Sequence, residues 1–230
     1  MAGTIKLDGT TFLTKDSSNN FTLDVGSGGS ISQGALGSDV VVPASIGGTM
    51  HFISKAIASN SASIEFSNLS NYSAFKNLYF IVNDIFPATE NTNFQAQIAT
   101  SGTTYLTSNY LGILNETYSN GSSHTTATGG STSAALFHIG GVGTTQTDGN
   151  ATESDIGVMG TLMLFSPNQT IGYHSAMGDF LTQYPSGYVS RVMSTGKYHG
   201  SKSPLTAIRF KFSSGNIASG SIAMYGIKDA

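Results

Sequence analysis

Polar and apolar residues alternate with a period of two in several stretches of the chain. In Ser61-Ala62-Ser63-Ile64-Glu65-Phe66 the alternation sends Ala62, Ile64 and Phe66 to one side, as a half-buried strand requires. Phe94 to Ile98 alternates in the same way, and Ile208 to Phe212 places its apolar residues inward and Arg209 and Lys211 outward. Two runs are unbroken, Leu78-Tyr79-Phe80-Ile81-Val82 and Leu162-Met163-Leu164-Phe165, which is the pattern of a strand covered on both faces. Tyr188–Met193 and Ser221–Ile227 supply two further strands, and Ser213–Gly220 is too long for a tight hairpin. About eight to ten strands at this spacing predict an all-β fold, an antiparallel β-sandwich of the jelly-roll kind.

The leading segment follows different rules. Thr4–Leu7 and Phe21–Val25 read as short strands, broken by Asp8-Gly9, by 16–20 and by 26–29. Apolar residues there are too sparse for an independent core. We therefore expect residues 1–45 to form an extended N-terminal arm that orders against a neighbour, and residues 46–230 to form the sandwich head. Two Ser/Thr/Gly-rich stretches, Thr117–Ser133 and Gly140–Asp155, are expected as exposed loops.

Composition supports strands over helices. The 230 residues include 28 Gly, 33 Ser, 26 Thr and 15 Asn, with 13 Phe and 10 Tyr. Charged residues make up 10%, net charge is −3, and no Lys or Arg occurs from Asn77 to Ser190. Without phosphate-neutralising cations that stretch is not expected to bind nucleic acid. The chain has no Cys, which removes disulfides, thiol nucleophiles and Cys-metal sites. No apolar run is long enough for a spanning helix, and the first residues lack the pattern of a secretory leader. The N-x-[ST] triplets, such as those at Asn68, Asn115 and Asn168, follow from the high Asn, Ser and Thr content.

Catalytic patterns are missing. No G-x-S-x-G nucleophile elbow and no phosphate-binding G-x-x-x-x-G-K-[ST] occurs, and the Gly140–Gly143 run lacks the third glycine of a dinucleotide motif. His51, His124, His138, His174 and His199 show no metal-ligand spacing. Asp84, Glu90 and Asp179 are acids that nothing in the sequence pairs across a cleft. The oxygen-rich stretch Asp148–Asp155 reads as a solvated turn, because its spacing is not that of a calcium loop. We expect no enzyme activity, no cofactor and no metal. Six tyrosines lie in or beside polar segments: Tyr105, Tyr110, Tyr118, Tyr173, Tyr184 and Tyr188. They are candidates either for stacking on sugar rings or for subunit packing, where Tyr is enriched.

Two blocks carry a family resemblance. Ser61–Phe66, Tyr79-Phe80-Ile81-Val82-Asn83-Asp84-Ile85-Phe86-Pro87-Ala88-Thr89 and Phe94–Ser101 resemble the opening of tailed-bacteriophage tail-fibre or capsid-fibre proteins. The ending from Ile208 to Ile227, through Gly215-Asn216 and Tyr225-Gly226-Ile227, is similar to theirs. The resemblance spans about Thr49 to Ala230 and is strongest in these blocks. It implies a non-enzymatic jelly-roll head on the virion surface, often a homotrimer, docked to other virion proteins by its N-terminal segment. Contact with host-surface glycans would be a further role, and a capsid decoration protein is the alternative. A glycan depolymerase is a third reading, disfavoured because no acid pair or triad can be assembled from spacing.

Overall fold

The structure is a computed structural model that describes residues 3–7, 10–15, 21–23, 50–119, 124–134, 137–139, 156–184 and 188–228. The chain divides into two compact units, Met1–Ile46 and Gly47–Ala230. In the first, β1 (Gly3–Leu7), β2 (Thr10–Lys15) and β3 (Phe21–Leu23) pair antiparallel in the order β1-β2-β3. The two anticipated strands are joined by a third, β2, so this segment carries a small meander.

The second unit contains the strands β4 (Met50–Ser61), β5 (Ile64–Ser67), β6 (Asn77–Pro87), β7 (Phe94–Ala99), β8 (Tyr110–Ser119) and β9 (His124–Ala134). They are followed by β10 (Phe137–His138), β11 (Val158–Phe165), β12 (His174–Tyr184), β13 (Tyr188–Tyr198), β14 (Ala207–Phe212) and β15 (Ile217–Ile227). A 3-10 turn at Leu69–Tyr72 is the one helical element among the described residues. The strands form an antiparallel eight-stranded sheet, β4-β15-β6-β11-β12-β13-β8-β9, and a four-stranded one, β10-β7-β14-β5. The series β4-β15-β6-β11 and β5-β14-β7-β10 are the two sheets of a jelly roll, in which the chain winds back so that late strands lie beside early ones. Strands β12, β13, β8 and β9 widen the first sheet beyond that plan.

The core lies between the sheets, and aromatic rings join them. Phe80 of β6 meets Phe66 of β5 and Phe210 of β14 at centroid distances of 5.5 and 5.3 Å. Phe94 of β7 stacks on Phe210 at 6.1 Å. All four are buried, and each such burial contributes about 1.5–3 kcal/mol by removing apolar surface from water.

The two blocks that carry the family resemblance meet in one corner. The Ala88 N–H donates to Asn216 O at 2.8 Å, and the Asn216 side-chain amide donates to Asn60 O at 3.1 Å. Gly215 has φ +70° and lies against Thr89, where a Cβ would come within 2.4 Å of the Thr89 hydroxyl oxygen. A β-branched side chain and a left-handed turn residue thus fit together only if the turn residue is glycine.

Several expectations change. Ala62 is exposed at the bend between β4 and β5, so only Ile64 and Phe66 of that run turn inward. The unbroken runs in β6 and β11 are covered on one face alone: Leu78, Phe80, Val82, Leu162 and Leu164 are buried, whereas Tyr79, Ile81, Met163 and Phe165 are half-exposed on the other side. Most of Thr117–Ser133 is strand, not loop, because β8 and β9 pair from Tyr110 to Ala134. Small Thr and Gly residues make a poor apolar signal yet still satisfy a ladder whose hydrogen bonds come from the backbone. The Gly140–Asp155 segment lies outside the described residues.

Candidate functional site

The six tyrosines do not form one site. Tyr110 is a core residue with no exposed surface, a correction to its reading as a surface contact. Its ring packs edge-on against Phe137 at 4.9 Å, and its hydroxyl accepts from the Ile98 N–H at 3.0 Å. Strand β10 is only two residues long and ends before Ile98, so the phenol takes the place of a missing ladder partner. Burial pushes the Tyr110 phenol well above its ordinary range. Tyr118 stands half-buried on the inward side of β8, opposite Ser190. Tyr184 and Tyr188 are paired where β12 passes into β13, and their side chains lie outside the described residues.

Tyr105 belongs to the outward face of the four-stranded sheet. Arg209 lies over its ring at 4.2 Å and donates to Gln97 Oε1 through Nε at 2.9 Å and Nη2 at 2.6 Å. Glu65, Arg209 and Gln97 are cross-strand neighbours, and Ser63 Oγ donates to Glu65 Oε1 at 2.8 Å. Burial, reinforced by the adjacent Glu65 carboxylate, raises the Tyr105 phenol above its usual range. This face is polar, and Arg209 ties Gln97 and the Tyr105 ring together.

Tyr173 is the most accessible of the tyrosines with described side chains. It is 46% exposed, lies edge-on to His199 at 6.3 Å, and has Lys202 Nζ 5.5 Å from its ring centre. Gln169 Nε2 donates to the Tyr173 carbonyl at 2.8 Å and thereby ties this residue to a groove of about 580 Å³. The groove is built from the segment after the 3-10 turn, the turn after β11 and the end of β15. Its walls include Phe75, Lys76, Asn168, Gln169, Ile171 and Lys228. Ser166, with φ +43°, starts the β11 turn, and its N–H is held by Asn77 Oδ1 at 3.1 Å. Asn168 Nδ2 is buried without a hydrogen-bond partner among the described residues. Two ammonium groups, an aromatic ring and side-chain amides are the groups that recognise an acidic sugar: cations for its carboxylate, a ring for its apolar face, amides for its hydroxyls.

The remaining candidates stay apart. His174 is buried, and its Nε2 donates to Ser203 O at 2.8 Å, which leaves Nδ1 bare and without a partner. Burial holds its pKa below the ordinary imidazole value. His51 packs against Phe75 at 5.5 Å. The side chains of His124 and His138 lie outside the described residues. Asp179 is clasped by Arg191 in a bidentate pair, Nε to Oδ1 at 2.9 Å and Nη2 to Oδ2 at 2.5 Å, which holds its carboxyl below the usual range. Glu116 is 1% exposed and accepts from Ser190 Oγ. Among the described residues no three His, Asp or Glu side chains gather where they could hold a metal ion.

The outward face of the eight-stranded sheet is unlike its polar counterpart. Strand pairing aligns Phe52, Tyr225, Tyr79, Met163, Met177 and, beyond Thr195, Ile113 in a row that crosses the sheet from β4 to β8. Phe52 is 59% and Ile113 68% exposed at the two ends of this row. Neither the groove nor this face was singled out from the sequence. The groove's lysines stand 152 positions apart in a pattern that no local motif links. The face did leave a signal, the unbroken runs of β6 and β11. No family model matches the chain, and no curated protein or solved structure matches it either.

Proposed function

We propose that this chain is a non-enzymatic structural protein of a tailed-phage virion, a short homotrimeric fibre or appendage whose first ~45 residues dock it to other virion proteins. What supports the reading most is the corner where Pro87-Ala88-Thr89 meets Gly215-Asn216. The residues that carry the resemblance lie where the jelly roll closes. Low charge and small surface residues suit repeated subunit contacts, because few charged side chains must lose water there.

Localisation of the chain in an electron-microscopy reconstruction of the intact particle tests this reading. Tens of copies at a tail, neck or vertex support an appendage. Hundreds of copies spread over the shell support the alternative, a decoration protein that reinforces the capsid. Absence from purified particles overturns both.

The groove favours a second role, contact with an acidic host-surface glycan. Binding to an array that carries uronic or sialic acids, lost in a Lys76→Ala/Lys228→Ala variant, is the expected result. Binding to no acidic glycan removes that role. Release of oligosaccharides from host polysaccharide would instead revive the depolymerase reading.

A further inference from the structure

We infer that copies of this chain bind one another through the outward face of the eight-stranded sheet. The inference deepens the oligomeric part of the reading above and rests on it only in naming the partner as the chain itself.

Three observations carry it. First, β6 and β11 have the sequence pattern of strands covered on both sides, yet the described strands of this unit cover one side. Tyr79, Ile81 and Met163 would be conspicuous on a face meant for water. Second, exposed apolar side chains concentrate here. Of the most exposed large ones, Ile171 and Tyr173 lie elsewhere, at or near the groove, while Phe52, Ile57, Ile113, Met177, Leu181 and Met193 all point outward from this sheet. Met50, Met159, Met163, Met177 and Met193, among the chain's 7 methionines, share the face and give it adaptable surface. Third, the dimensions suffice. Eight strands at ~4.8 Å spacing span about 34 Å, and strands of 11 residues run about 36 Å. The resulting ~1,200 Å² compares with the roughly 800 Å² per partner of a standard protein interface.

Charge is sparse on this face. Asp179 and Arg191 neutralise each other, and the exposed Lys55 and Lys197 stand far apart on β4 and β13, where they leave the apolar row between them clear. What points to a second copy is the area, which meets what a contact between two protomers needs, and the outward face of the small sheet, with its Glu65-Arg209-Gln97 row, offers nothing equivalent.

Sedimentation equilibrium of the full chain across the micromolar range tests the inference, with wild type set against Ile113→Lys/Met177→Lys and against Ile171→Lys, a still more exposed apolar site off the face. We expect a multiple of the 23.9 kDa protomer for wild type and Ile171→Lys, and at least a roughly tenfold weaker association for the face variant with its strand circular dichroism retained. Peroxide oxidation of Met177 and Met193 in unmodified protein should slow as concentration rises, a readout that needs no variant. A wild type that stays at protomer mass, or a folded face variant that assembles like wild type, overturns the inference, as does oxidation independent of concentration. In the second case the oligomeric virion reading survives and only the face is wrong. A dimer upholds the face and counts against the trimer.

Discussion

Tyr110 shows how a single side chain can hold a strand that its neighbour abandons. Its hydroxyl accepts the Ile98 N–H, and Ile98 O in turn accepts from the Leu106 N–H at 2.9 Å. Tyr110→Phe keeps the ring and strands a buried donor, so urea denaturation should show a loss of about 1–3 kcal/mol. His174 makes stability depend on pH. Its folded pKa lies below the ordinary 6.5, so the unfolded chain takes up a proton more readily. Stability is therefore fully present above about pH 6.5 and declines as the pH falls through the interval between the two values. The thermal unfolding temperature, followed as the pH is lowered from about 7.5, should fall more steeply in wild type than in His174→Gln. Gly220, with φ +114°, faces Asp84 O at a β-bulge, where a Cβ would approach to 2.2 Å. Gly220→Ala should cost at least about 1–3 kcal/mol from backbone strain alone, measured by the same denaturation.

At the scale of elements, alternation was legible wherever an apolar residue stood opposite a charged one. Ile208–Phe212 emerges as β14 with Arg209 and Lys211 outward, as its pattern required. The hairpins β8–β9 and β12–β13 were not legible as a widening of one sheet. Their inward positions include Gly178 and Gly196, residues too small to mark a face by hydrophobicity. The unbroken runs misled for a different reason. They recorded apolar character on both sides of β6 and β11 correctly, but the sequence could not say that the described strands of this unit would cover only one of them. Candidate tyrosines were chosen by proximity to polar segments, and Tyr110 failed that test because a core position can sit one residue from a turn. Between the sheets, Phe210 touches Phe66, Phe80 and Phe94, so Phe210→Ala should remove about 3–5 kcal/mol in equilibrium unfolding.

For the whole molecule, the two outward surfaces divide the work. One carries Arg209 bonded to the buried Gln97 and Glu65 bonded to Ser63, so its polar groups have partners. The other carries aromatic and thioether side chains without such partners. Because no Lys or Arg occurs between Asn77 and Ser190, trypsin has no purchase there, so compactness must be probed with a less selective enzyme. Limited proteolysis with subtilisin should leave β6–β8 and β11–β13 intact for far longer than the unfolded chain survives, as gel electrophoresis would show. Rapid cutting inside those strands would contradict a closed sandwich.

The place of β15 has a consequence for synthesis. This strand lies between β4 and β6, which leave the ribosome well over a hundred residues earlier in register with it. Until residues 217–227 emerge, those two strands have no common neighbour, and the edges that will face β15 stay unpaired. The sheet is completed by pairing a late strand between two early ones, so folding should be slow. A nascent chain stalled before Ile217 is the species a chaperone would have to shelter.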